Sequence, residues 1–403
     1  MPEALSSPAA TRTGRWLVGA AIVLLALNLR ALVASVGVLL PQIRADLAMS
    51  PTMAGVLTTL PVVCFGIVGF ASGGLVRRLG LHRSTVALLT LLAAGLAVRA
   101  LVDSLPLFLV TTALALAGAA VGNVILPPLA KVHFPDRIAL ISALYGAAIM
   151  AGATLASVTT VPLGDAFGSW RAGLAAWAVL AVVTVLPWLT MIRHDVHTGP
   201  GAAERMPLRT AAHSPLTWAM VLCFGAQSAA AYAQFGWYPE ILTDGGVGEH
   251  EAGVLLGVLS AMGIPLALAL PWLMARAGDR PLLPLGFALL SATGWLGVLI
   301  APAGLPLLWS VLLGLGGGAF TWVLAMIGQR TRTPAATTAL SLMTQGLGYL
   351  VAAFGPFGVG ALHDVTGSWT APLLALVASS CVIGAAGVVI SRPRTLEDTL
   401  HLT

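Results

Sequence analysis

Charge is scarce in this chain. Of its 403 residues only 9% are Asp, Glu, Lys or Arg, while 58% are hydrophobic. A soluble domain carries about 25% charged residues, so this chain cannot cover itself with a polar surface. The same apolar excess excludes disorder. Cysteine is almost absent: Cys64, Cys223 and Cys381 each lie in an apolar run without redox or metal-ligand spacing, and read as small packing residues. Long polar segments are lacking as well. The longest connector, 193–214, leaves no room for a sizeable receptor signalling domain. No catalytic constellation or metal-ligand cluster appears. GLGGGA at 314–319 has neither a preceding strand nor a P-loop lysine, so it is no phosphate cradle. An enzyme is not expected, nor a cofactor, a metal or a nucleic-acid partner.

What the chain has in abundance is apolar runs of spanning length. A membrane helix needs roughly 20 such residues, and about twelve runs qualify: 16–40, 51–76, 84–103, 106–128, 138–163, 170–192, 215–239, 251–274, 282–301, 305–327, 335–361 and 370–391. The first is too long for a signal h-region, so no cleavable leader is expected. An even number of spans puts both termini on one side. That side then collects sixteen of the twenty basic residues, the other only Arg44 and Arg171, with Arg30 and Arg99 inside spans. The bias places both termini in the cytoplasm, and a bacterial cytoplasmic membrane is the expected location. Trp237 and Trp369 fall at expected interfaces, as an aromatic belt would have them.

The chain also repeats itself. PQIRAD at 41 aligns with PEILTD at 239, AGVL at 54 with AGVL at 252, and Gly80 with Gly278. DAFGSW at 165 aligns with DVTGSW at 364, only one residue out of step. The expected architecture is all-α, with six-helix bundles at 1–192 and 215–403 joined by a cytoplasmic linker at 193–214. Parallel repeats of this kind hold their substrate near the midplane, between the halves.

Within that frame, polar groups in the spans are the candidate site. Arg30 lies about 15 Å of helix from the end of its span at Leu40 and about 21 Å from Trp16. Snorkelling cannot bring it to either interface, and a midspan charge costs about 2.5–3.5 kcal/mol on the lenient scale. All fifteen acids fall in loops or at span ends, so no carboxylate stands at its depth. Backbone carbonyls or Asn and Gln oxygens could satisfy it structurally. Functionally, its planar donor fork suits an anionic or strongly dipolar substrate. Arg99, four residues from Asp103, is expected to snorkel to it. Asn28, Asn123, Tyr145, Gln227, Tyr232, Gln345 and Tyr349 complete the candidate lining, each also explicable by packing. Gln345 and Tyr349, at i and i+4, share one helix face. Midspan Asp, Glu and His are absent, so a proton carrier would sit near a span end, at Asp46, Asp165, His363 or Asp364.

Four stretches carry a resemblance: NLRALVASVGVLLPQIRADL (28–47), GNVILPPLAKVHFPDR (122–137), GAQSAAAYAQFGWYPEIL (225–242) and LSLMTQGLGYLVAAFGPFGVGALHDVTGSW (340–369). With them the chain resembles the major facilitator superfamily, and within it the cyanate/2-nitroimidazole transporter branch. The resemblance implies a twelve-helix monomer in the lipid bilayer that moves a small polar or anionic solute by alternating access, by secondary active or facilitative transport. Drug or metabolite efflux is the alternative. There are departures: Arg77 stands where the superfamily's second-to-third-span loop has an acid, Ala31 follows NLR, and Ala231 occupies a Tyr position.

Overall fold

The computed structural model describes residues 12–134, 136–192 and 206–400. Residues 193–205 of the expected linker and the side chain of Arg77 lie outside that description. Among the described residues, twelve helices are long and apolar enough to cross a membrane. We number these α1 (Arg12–Val38), α2 (Pro51–Leu79), α3 (Leu81–Arg99), α4 (Leu105–His133), α5 (Ile138–Ala166), α6 (Trp170–Met191), α7 (Pro215–Asp244), α8 (Glu249–Ala277), α9 (Leu282–Ile300), α10 (Pro306–Gln329), α11 (Ala335–Thr366) and α12 (Thr370–Ile390). Each expected run maps onto one of them. The helices form because backbone polar groups have no other partner in hydrocarbon. Their outward faces stay apolar: Leu282, Leu285, Leu289, Leu296 and Ile300 line one side of α9 and are all exposed.

Packing repeats as the sequence does. Helix α3 packs on α4 and α6, as α9 packs on α10 and α12; α1 packs on α5 as α7 packs on α11. The repeated residues show why they recur. Gly80 (φ 89°) and Gly278 (φ 56°) turn the chain between the second and third helix of each half. Gly168 (φ 66°) and Gly367 (φ 61°), from the two GSW motifs, do so between the fifth and sixth. Only glycine adopts that backbone without strain. The acids of PQIRAD and PEILTD meet the same motifs. Asp46 accepts from Arg171, beside Trp170, at 2.7 Å, and Asp244 accepts from Trp369 Nε1 at 2.8 Å.

The AGVL glycines join the halves. A Cβ on Gly55 of α2 would stand 3.4 Å from the Phe357 backbone of α11, and one on Gly253 of α8 would stand 2.9 Å from the Ser157 carbonyl of α5. Small residues let helix backbones approach this closely. Recurrence of AGVL is therefore a pair of equivalent helix crossings between the halves.

The buried core is not uniform. One cluster fills the first half and the part of the second half farthest from the termini. A second, separate cluster fills the part of the second half nearest the termini, including Phe224, Trp322 and Ile390. Calling the end that bears residues 39–51 distal and the termini end proximal, the two halves share a core distally and part proximally.

Two expectations change. Arg99 does not snorkel: it is fully buried, with Nη1 and Nη2 3.4 Å from the Leu32 carbonyl and Ser35 Oγ of α1. Asp103 pairs with Arg171 instead, at 2.8 Å. Helix α3 presents Arg99 to α1 rather than outward, and rotation about a helix is invisible to a count of residues to the span end. Trp237 is likewise no belt residue; it is fully buried and donates to the Pro356 carbonyl at 2.9 Å.

Candidate functional site

Arg30 projects from α1 toward α7, α10 and α11. It is 8% exposed, and its Nη1 has no hydrogen-bond partner among the described residues. Three rings surround its guanidinium carbon: Tyr232 at 4.9 Å, Phe235 at 5.7 Å and Phe320 at 5.9 Å to their centroids. The negative faces of such rings attract a cation. Their faces offer no lone pair, so they stabilise the charge while leaving Nη1 unmatched. A second tier backs the first. Phe65 lies 6.1 Å from Tyr232 and 5.8 Å from Tyr349, and Phe224 lies 5.4 Å from Phe320 and 4.9 Å from Tyr349. Helices of both halves contribute: α1 and α2 from the first, α7, α10 and α11 from the second.

Other unmatched polar atoms lie on α7 and α11. Tyr232 Oη, Gln227 Oε1, Ser228 Oγ and Thr344 Oγ1 are buried without a hydrogen-bond partner among the described residues. Helix α10 is interrupted at Gly317, between Gly316 and Gly318, and Gln227 Nε2 lies 3.9 Å from where a Cβ on Gly317 would stand. In α11, residues Met343–Leu347 form one π turn, a widening often found at functional sites. It has a consequence for the expected shared face of Gln345 and Tyr349. Tyr349 joins the aromatic cluster, whereas Gln345 turns back to Ser341 Oγ at 2.8 Å.

The remaining candidates make other contacts. Asn28 precedes it by two residues, about 200° around the helix. Its amide donates to the Leu24 carbonyl at 2.8 Å and to Thr184 Oγ1 of α6 at 2.9 Å, so it ties α1 to α6. Asn123 on α4 is half-buried, with Nδ2 3.4 Å from the Ala119 carbonyl of its own helix. Tyr145 on α5 is half-buried against the core. Of the eight predicted residues, the structure gathers Arg30, Tyr232 and Tyr349 in one aromatic cluster, with Gln227 on the same helix as Tyr232. Phe235, Phe320, Phe65 and Phe224 were not foreseen. A phenylalanine in an apolar run looks the same whether it faces lipid or a cation; only the i, i+3 spacing of Tyr232 and Phe235 hinted at a common face.

Next to these rings lies a small cavity of about 20 Å³, lined by Leu32, Val36, Thr58, Thr112, Tyr232 and Phe235 among others. Above it the halves are closed. Arg44 and Glu240 form an ion pair across them, Thr52 donates to Asp364, and Gln42 reaches Glu249 at 3.4 Å. These polar links between the halves all lie at the distal end.

The Major Facilitator Superfamily profile matches residues 17–356. The chain belongs to this superfamily. Among its superfamily relatives, the 2-nitroimidazole transporter of Escherichia coli (strain K12) is 32% identical over 381 residues, spanning 94% of this chain and 96% of that protein. The cyanate transport protein CynX of the same strain is 31% identical over 349 residues, spanning 86% and 90%. The uncharacterized transporter YycB of Bacillus subtilis (strain 168) is 34% identical, spanning 94% of each. Solved superfamily structures share the fold at lower identity. The nucleoside transporter NupG superposes with a TM-score of 0.77 at 13% identity, over 93% of this chain and 99% of that one. The inward-open xylose transporter XylE from E. coli gives 0.73 at 13% identity, over 96% and 99%. The protein is thus a multi-pass membrane transporter that moves a solute across the bilayer, and not an enzyme.

Proposed function

We propose that the solute is a small anion or a strongly dipolar molecule of cyanate or nitroimidazole type, and that Arg30 binds it. One observation carries this reading: a buried guanidinium with an unmatched Nη1, held by rings rather than by a carboxylate. Buried carboxylates among the described residues are Glu240 and Glu397, at opposite ends of the molecule and away from these rings. An anion would complete the donor fork of Arg30 as the aromatic faces cannot. A lipophilic cation would meet the same charge with repulsion, which disfavours drug efflux of that type. The relatives named for cyanate and 2-nitroimidazole lend the solute class its support.

In this reading the bundles 1–192 and 215–403 rock about Arg30 within a monomer. With both termini cytoplasmic, in a bacterial cytoplasmic membrane, the state described here is closed to the outside and parted toward the cytoplasm. Gln227, Tyr232 and Tyr349 line the site beside Arg30. Proteoliposomes carrying wild type, Arg30→Lys or Arg30→Ala, tested for uptake of labelled cyanate and 2-nitroimidazole, check the assignment. Loss of a charge-assisted bond worth about 1.5–3 kcal/mol predicts a ten- to hundredfold fall in uptake for Arg30→Ala. Wild-type uptake in both variants defeats the assignment.

A further inference from the structure

The distal ion pair has an unusual composition. Glu240 is only 6% exposed, four residues from the end of α7, and one of its oxygens binds Arg44 from the short helix Leu40–Asp46 of the other half. Its second oxygen, Oε2, is buried and has no hydrogen-bond partner among the described residues. The two partners come from the repeated motifs themselves, Arg44 from PQIRAD and Glu240 from PEILTD. At the position equivalent to Glu240 the first half carries Gln42, and at that equivalent to Arg44 the second half carries Leu242. The repeat therefore supplies one charged link where its pseudo-symmetry offers two.

The surroundings contain further charge. Asp244, on the same helix, faces Glu240, and Arg44, Asp244 and Asp364 all lie within electrostatic reach of His363 on α11. Glu249 of α8 reaches Gln42, and Asp46 is neutralised by Arg171 from the start of α6. His363 is stacked on Trp369 at 3.9 Å. Among these groups Glu240 combines burial, an unmatched oxygen and a bond that crosses between the halves.

We propose that Glu240 is a proton site, and that its occupancy sets whether the distal ends of the two halves are clasped. As a carboxylate it holds Arg44 by a charge-assisted bond, roughly twice as strong as a neutral one. A proton taken up on Oε2 from the distal solution removes the charge and weakens the clasp. Opening in turn takes the Arg44 cation away from Glu240, so proton binding and distal opening favour each other by reciprocal linkage. The clasp then yields to acid on the distal side, whatever the solute. This rests on the alternating-access reading and is independent of the role given to Arg30.

The test needs no solute. Full-length protein in nanodiscs, with Cys64, Cys223 and Cys381 replaced by Ala, carries spin labels at Ser50→Cys and Val365→Cys on the distal rims of the two halves. Pulsed electron spin resonance then reads their separation at pH 8 and pH 5.5. The labelled parent is expected to gain a longer-distance population on acidification, by at least about twofold. Glu240→Gln, uncharged at any pH, should show the longer distance at both values. Replacing both partners, Glu240→Gln with Arg44→Gln, keeps the test valid if the single change leaves Arg44 too costly to bury, and should be equally pH-independent. His363→Gln should keep the pH response. A parent with no response, a response that survives in the Glu240 variants, or its loss in His363→Gln overturns the proposal.

Discussion

The Arg30 guanidinium carbon lies 4.9 Å from the centroid of the Tyr232 ring, across the seam between α1 and α7. The contact joins the two halves: the cation comes from the first, and the rings around it come from the second. Cation–π attraction needs the ring and not the hydroxyl. Tyr232→Phe should therefore keep the position of Arg30, and any change in uptake it causes reports on Oη as a partner for the solute. Tyr232→Leu removes the ring face, and a loss of about 0.5–2 kcal/mol predicts solute binding about twofold to about thirtyfold weaker. Isothermal titration of both variants with cyanate and 2-nitroimidazole separates the two contributions.

Asn28 should matter to folding rather than to solute. Its amide bridges to Thr184 Oγ1 at 2.9 Å, within the first half. Interhelical hydrogen bonds in membrane proteins average about 0.6 kcal/mol and reach about 1.7. A double-mutant cycle with Asn28→Ala and Thr184→Ala, read by denaturation in detergent, should give a coupling of that size. The Asn28→Ala variant should retain solute affinity.

Gly37 sits where α1 meets α7 near the distal end. A Cβ there would stand 1.6 Å from the Phe235 carbonyl oxygen, far inside van der Waals contact. Gly37→Ala cannot be accommodated while the halves are closed at that point. It should favour the distally open state, seen as faster maleimide labelling of a cysteine placed at Thr58, which is buried in the closed state. The measurement requires the same cysteine-free background. Equal labelling with and without the substitution contradicts the closed seam described here.

The C-terminal segment should respond to acid through Glu397. Burial pushes this carboxyl upward, but hydrogen bonds from the backbone of Glu397, Arg332 and Thr333 and from the Thr333 hydroxyl outweigh it, leaving it below its ordinary 4.5. A depressed carboxyl contributes stability above its unfolded value and loses it as pH falls through the folded one. The contribution should be intact at neutral pH and fade below about pH 4.5. Glu397→Gln should remove that pH dependence. Glu397→Ala, which strands the Arg332 and Thr333 N–H groups now bound at 2.9 Å, should cost about 1–3 kcal/mol in detergent melts.

Legibility varied with the kind of signal. The spans could be read because each needs a long uninterrupted apolar run, and no other structure shields the backbone in lipid. The repeat could be read because turns and helix crossings admit few residue types: Gly80, Gly168, Gly278 and Gly367 hold φ values that suit glycine. Arg30 could be read because its depth follows from counting residues. Asn28, Gln345 and Arg99 could not be placed by the same means. Their roles depend on which way a helix faces, and in a membrane both faces of a helix can be apolar.

Composition and spacing were thus enough for the bilayer, the twelve helices, the doubled architecture and one cation without a carboxylate at its depth. Folding in three dimensions alone decided what surrounds that cation. Tyr232, Phe235 and Phe320 come from α7 and α10, some 200 to 290 residues beyond Arg30. Whether an apolar ring faces lipid or a guanidinium is set by helix rotation and by how the halves close, which no local pattern encodes. The same holds for the clasp of Arg44 and Glu240: two residues at span ends, unremarked as a pair until the halves brought them together.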